Sequence, residues 1–307
     1  MKKIMSGVTR KEVYAIVRDA YEKLENKPTS KQDYEYLLKE QDLDFYSAVY
    51  AEIARDIVNG LNIAGENNLS IYDLNIESYV DIEKSLTKII TFDEFKDMLK
   101  VARNYVLGND LSYRELVMIE MAWMGSSPQQ IVEVLEDDVQ IVKLPDVKAI
   151  YYIVNNKEFY FKDEDFVKDF EMYKKEVKAG AYKKMRKMSD KEYVTSTQYA
   201  DSEYFIKKTI AGKSGIATSK KFVRNETAIA SFLEVISAFY KNNRIDCSKF
   251  SVQNFIDSAC VYKISQGAPR EEIESRYASY IVPDAKNLQL EFFEILSKRL
   301  YGSPLLK

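Results

Sequence analysis

The 307-residue chain is 46% apolar with a net charge of −3, a balance that excludes intrinsic disorder and gives no global argument for a polyanionic partner. It contains no histidine, which removes Ser-His-Asp, Cys-His and His-metal chemistry together and leaves carboxylates, lysines, arginines or tyrosines for any catalysis. Cys247 and Cys260, the only two cysteines, are too few for a disulfide framework or a four-ligand zinc site and read as buried thiols.

Length suggests about two domains. Val8 to Leu24 carries a helical stripe of Val13, Ile16, Val17, Ala20, Tyr21 and Leu24, with Thr9 as N-cap. After the break "NKPTSKQ", helices are expected over Asp33–Lys39 and Asp44–Leu61, a loop at "AGENNLS", and one or two short helices over Ile71–Lys84. These make a helical domain over residues 1–87, and residues 88–307 form the second. Thr91 and Glu94 have capping-box spacing before a helix carrying Phe95, Met98, Leu99 and Ala102, and Ser112 with Glu115 repeats the device. That helix runs to Gly125 inside "MAWMGSSPQQIVEV", which reads as a helix-turn-helix, a helical hairpin or a catalytic box. From Val147 to Phe161 the period becomes strand-like around Asn155-Asn156, a hairpin signal because asparagine tolerates φ > 0. Helical patterns return at Glu164–Val177, Glu226–Tyr240, Ser251–Ser265, Arg270–Tyr277 and Ala285–Leu300. The fold class is therefore mainly α with a small β-hairpin or sheet. No period of about 20 to 50 residues repeats, which excludes a solenoid.

Local charge is uneven. Residues 1–88 hold 12 Lys and Arg against 16 Asp and Glu, whereas residues 174–224 hold 14 against 5. The second stretch contains Lys174, Lys175, Lys178, Lys183, Lys184, Arg186, Lys187, Lys207, Lys208, Lys213, Lys220, Lys221 and Arg224, and such a run is either a solvated face or a phosphate track. Within "GKSGIATSKKFVRNE", Thr218, Ser219 and Lys220 precede a helix, where backbone N–H groups favour phosphate; an ordinary polar loop is the competing reading. The N-terminal Lys2, Lys3, Arg10 and Lys11 are further candidate phosphate contacts. Walker A, GxGxxG and aspartate-rich calcium-loop patterns are absent, so no nucleotide, metal or other cofactor is expected. Lys2 and Lys3 are followed by Met5, Ser6 and Gly7 rather than an apolar run, and no stretch of about 18 apolar residues occurs, so a cytoplasmic, nucleoid-associated protein is expected.

The order of elements resembles the tyrosine recombinase (phage integrase) family over nearly the whole chain. "TFDEFKDMLKVA" is similar to the helix that opens that family's catalytic domain, "DLSYRELVMIEMAWMGSSPQQIVEVLEDDV" to its first arginine box, and "FSVQNFIDSACVYKISQGAPREEIESRYA" to its His-x-x-Arg box. The resemblance implies a helical core-binding-like domain, then a catalytic-fold domain. It also implies that both clamp duplex DNA, that Arg18 or Lys31 enters the major groove, and that the C-terminal helix with Phe292, Phe293, Ile295, Leu296 and Leu300 packs in cis or on another protomer. The family cleaves DNA with a tyrosine, two arginines, a lysine and two histidine or tryptophan positions. Matched residue by residue, these fall on Ser127, Gln253, Ile256, Ser279 and Leu288, with Lys157 the one retained lysine. Removing one preorganised transition-state donor costs about 10²- to 10³-fold, so strand cleavage is not expected here. The resemblance, in its catalytically inactive form, is to master repressors of SPβ-type prophages. It implies sequence-specific binding to double-stranded operator DNA, transcriptional repression in lysogeny, and a phage regulatory protein as a further candidate partner. An active or atypical recombinase using Tyr277, Tyr280 or Tyr301, and a helical interaction protein that binds no DNA, are the competing readings.

Overall fold

The structure is a computed structural model, and it describes residues 15, 23, 31–40, 44–46, 48, 49, 75–106, 112–188, 191–210, 226–278, 280–282 and 285–302. By contacts the chain divides into Met1–Ile89 with Cys260–Lys307, and Ile90–Ala259. The first division falls two residues beyond the expected 87/88 boundary; the second assigns the C-terminal stretch to the N-terminal unit, which the linear reading placed with residues 88–307.

In the first unit, α1 spans Lys31–Glu40 and buries Leu37 and Leu38. Two short helices, α2 (Ile76–Tyr79) and α3 (Ile82–Leu86), stand where one or two were expected over Ile71–Lys84. Each starts where an acceptor side chain meets a free helix N–H: Asn75 takes that of Glu77, and Asp81 that of Lys84 at 2.9 Å. The C-terminal helices of this unit are α10 (Arg270–Tyr277) and α11 (Lys286–Tyr301). Phe292 stacks on Phe45 with centroids 4.2 Å apart, while Gln289 donates to the Tyr46 hydroxyl at 2.9 Å and accepts the Val282 N–H at 2.8 Å. The apolar face of α11, with Phe292, Phe293 and Leu296 buried, is thus used in cis. The expected helix over 8–24 except residues 15 and 23, its Thr9 cap, most of 44–61 and the loop near 64–70 lie outside the described residues.

The second unit begins with α4 (Phe92–Val101), whose Thr91–Glu94 capping box forms in both directions. It passes into a π turn over Ala102–Val106. Helix α5 (Tyr113–Trp123) follows, with Glu115 accepting the Ser112 amide at 2.9 Å. Strands β1 (Val139–Lys143), β2 (Lys148–Val154) and β3 (Lys157–Phe161) make an antiparallel sheet in sequential order. Asn155 (φ 50°) and Asn156 (φ 59°) form the β2–β3 turn, with Val154 opposite Lys157 as the sequence predicts. Helix α7 (Glu164–Ala179) covers this sheet, and α8 (Glu226–Asn242) and the start of α9 (Val252–Ser265) complete the unit. Its centre is aromatic: Trp123 stacks on Phe95 at 4.2 Å and meets the edge of Phe255 at 5.3 Å, while Phe166 stacks on Phe161 at 4.9 Å. Truncating a ring of this kind costs about 3–5 kcal/mol, which is why these positions carry the unit.

One element has no counterpart in the linear reading. Strands β4 (Ala181–Met188) and β5 (Lys191–Gln198) pair antiparallel over their full length as a two-stranded ribbon. Among the described residues the fold is accordingly mainly α, with one small sheet and this separate ribbon.

Candidate nucleic-acid interface

The corner at residues 121–134 is built by caps. Helix α5 closes in a Schellman arrangement: the Ser126 N–H reaches the Met121 carbonyl at 3.0 Å, the Gly125 N–H reaches that of Ala122 at 3.0 Å, and Gly125 takes φ 97°. Ser127 then caps α6 (Pro128–Glu133). Its hydroxyl accepts the Gln130 N–H, the Gln130 side chain accepts the Ser127 N–H at 2.9 Å, and Pro128 sits in the first turn. Ser126 shares a 2.6 Å hydrogen bond with the Tyr152 hydroxyl, tying the corner to the sheet.

The other positions matched to the recombinase set are also structural. Gln253 is buried and donates to Asp257 at 2.6 Å, Ile256 is core, and Leu288 is buried in the first unit; Ser279 lies outside the described residues. Lys157 is half-buried directly after the Asn-Asn turn. None of the described substitutes Ser127, Gln253, Ile256 and Leu288 offers a titratable group or a guanidinium.

Among its described residues, the basic stretch is divided between exposed and enclosed positions. Lys183 is exposed on β4, and Lys184, Arg186 and Lys187 occupy the following register positions opposite Thr195, Tyr193 and Glu192. Lys175 and Lys178 are exposed on α7, whereas Lys174 donates to the Val139 carbonyl at 3.0 Å and Lys208 is half-buried. The expectation for Lys207 is corrected. It is 4% exposed, its ammonium is held by the Glu136 carboxylate and the Ser202 carbonyl, and its amide donates to the Tyr173 hydroxyl at 2.8 Å. A lysine so enclosed is a packing element and not a phosphate contact. Lys213, Thr218, Ser219, Lys220, Lys221, Arg224, Arg18 and the cations at 2, 3, 10 and 11 lie outside the described residues, and Lys31 is the first residue of α1.

The ribbon is held at its base. Gly180 takes φ 72° to end α7, the Tyr199 N–H donates to the Gly180 carbonyl at 2.9 Å, and the Ile210 N–H donates to the Gln198 carbonyl at 2.9 Å. Tyr199 is buried, lies 5.5 Å from the Tyr182 ring, and donates its hydroxyl to Glu176 at 3.1 Å. Burial pushes the Glu176 carboxyl up to about 7, against the lowering effect of that hydrogen bond.

A charged cluster beside α7 leaves little trace in the sequence. Arg103, in the π turn, grips Asp169 through Nε at 2.9 Å and Nη2 at 2.6 Å and reaches Glu120 at 3.5 Å. Glu120 is fully buried, and burial together with the adjacent Asp169 charge holds its carboxyl well above the usual range, against the lowering effect of Arg103. Its one sequence signal is a carboxylate inside the otherwise apolar run "LVMIEMAW". Arg103 and Asp169 also line a surface cleft with Tyr113, Asp165, Lys168 and Met172. Among the described residues no group of acidic or cysteine side chains could hold a metal ion, and no helix is long and apolar enough to cross a membrane.

No protein-family model matches the chain, and no curated protein matches it. Among solved structures it is similar to the Tn1549 transposon integrase in complex with transposon right-end DNA, at a TM-score of 0.42 and 10% identity over 93% of this chain and 89% of that one.

Proposed function

We propose that the chain is a sequence-specific, double-stranded-DNA-binding transcriptional repressor of a temperate phage, built on a tyrosine-recombinase-like scaffold without the recombinase chemistry. The observation that carries this reading is the concentration of cations in residues 174–224, 14 against 5 acids, with a base-anchored ribbon bearing Lys183, Lys184, Arg186 and Lys187 at its centre. Phosphate contacts from such a surface supply affinity through counterion release, so binding weakens steeply with salt. The order of elements supports the scaffold: a capped helix, a helix–Gly–helix corner, a three-strand sheet with Lys157 after its turn, and the helix holding Gln253 and Ile256. Ser127 as a helix cap and Ile256 as core support the loss of cleavage, because arginine at neither place would leave the local packing unchanged. The finer assignment to the lysogeny repressors of SPβ-type prophages rests on the sequence resemblance.

Gel-shift titration against duplex fragments of phage DNA tests the reading, and a nicked suicide duplex tests cleavage in the same tubes. The expected result is a salt-sensitive complex with one preferred fragment and no covalent adduct. An adduct returns the chain to the active recombinases; no complex with any duplex at low salt leaves the protein-interaction reading.

A further inference from the structure

We infer that the exposed face of the β4–β5 ribbon, formed by Lys183, Val194, Ser196 and Gln198, reads base edges in the major groove of duplex DNA; this rests on the duplex-binding reading above.

The register divides the ribbon into two faces. Tyr182 pairs with Thr197 on one face, where both are half-buried and Tyr182 packs toward Tyr199. The opposite face carries Ala181 with Gln198, Lys183 with Ser196, and Met185 with Val194. On that face Lys183, Ser196 and Gln198 are exposed, and Val194 is 63% exposed. Val194, beside Ser196 and opposite Met185, is a β-branched apolar side chain left in water, a placement that folding of this unit does not reward.

Chemistry and size both point to the groove. Lysine donates to guanine O6 and N7, glutamine pairs with adenine N6 and N7, serine serves either, and an apolar side chain meets the thymine methyl. A pair of strands about 4.8 Å apart, with its side chains, is about 10 Å across; that fits the major groove, about 12 Å wide, and not the minor groove at about 6 Å. The strands are cationic, with Lys183, Lys184, Arg186, Lys187 and Lys191 against Glu192. The excess of cations, concentrated on β4, favours a polyanion as the occupant. The anchors at Gly180, Tyr199 and Gln198 hold the base in one geometry, which reading of a base register requires.

The experiment selects bound duplexes from a random-sequence library with the full chain, then repeats the selection with Val194→Ala, Gln198→Ala and Lys183→Ala. Lys178→Ala, an exposed α7 lysine outside the ribbon, serves as control. Each ribbon variant is expected to keep the wild-type melting temperature and to lose discrimination by about tenfold at adjacent base positions. Lys178→Ala is expected to weaken all duplexes alike or leave them unchanged. Dimethyl sulfate should show guanine N7 protected in the wild-type complex but not with Lys183→Ala, and a minor-groove ligand should not displace the protein. If duplexes bind but the ribbon variants select the same site with the same discrimination, or protection is confined to the minor groove, the ribbon assignment is overturned while duplex binding stands. If no duplex binds at low salt, both fall together.

Discussion

The second unit contains two hairpins that differ in what holds them. Strands β2 and β3 turn through Asn155-Asn156 and alternate inward, so Tyr152 and Phe159 are fully buried and stack at 4.8 Å. Strands β4 and β5 have a longer register, yet Lys183, Val194, Ser196 and Gln198 are exposed and the documented attachment lies at the base, through Tyr199, Gly180 and Gln198. The first hairpin is kept by burial of a face, the second by a tether. Burial makes an element part of the core, whereas a tethered ribbon leaves its surface for another molecule.

The largest effect that sharpens this contrast is expected in the first hairpin. Tyr152→Ala removes a fully buried ring and the partner of Ser126, and urea unfolding should show a loss of about 3–5 kcal/mol. A loss below about 1 kcal/mol would mean that the sheet is not core. At the corner packed on that sheet, Ser127→Ala removes the α6 cap and should cost about 1 kcal/mol by the same measurement. In the ribbon, Val194→Thr should change stability by less than about 0.5 kcal/mol, because the side chain is exposed; a larger loss would place it in a packed face.

The tether carries a pH signature that the first hairpin lacks. Glu176 has a folded value of about 7, raised above its ordinary value near 4.5. A raised group holds its proton more tightly in the folded state, so its contribution is fully present below about 4.5 and is lost as pH rises through about 7. Glu176→Gln should flatten that part of the stability–pH curve, and amide exchange at the ribbon base should lose the same dependence. An unchanged slope would remove Glu176 from the tether. Glu120→Gln tests a second raised carboxyl: because burial and the Asp169 charge disfavour the charged form of Glu120, the amide should be tolerated, whereas Asp169→Ala, which strands Arg103 beside buried groups, should destabilise strongly.

Where a residue's role follows from its neighbours along the chain, the sequence was sufficient. Thr91 with Glu94, the turn at Asn155-Asn156 and helices such as Arg270–Tyr277 were legible, because caps, positive-φ asparagines and 3.6-residue stripes are local devices. The ribbon was not, since "AYKKMRKM" and "KEYVTSTQ" lack an apolar face whose alternation would mark a strand. Within the candidate interface, the abundance of cations was readable but their fates were not: Lys183 is exposed and Lys207 is enclosed by Glu136 and Ser202, although both are lysines in one basic run.

By itself, then, the sequence determined the class of fold, the helix starts, the first hairpin and the absence of histidine chemistry, all of which depend on composition or on residues a few positions apart. Only the tertiary structure decided that residues 260–307 group with the N-terminal unit, that Ser127 caps a helix, and that Glu120 shares a buried site with Asp169 and Arg103. The physical reason is distance along the chain. Burial, shared protons and ion pairs arise between groups tens of residues apart, and no local pattern records which of them will meet.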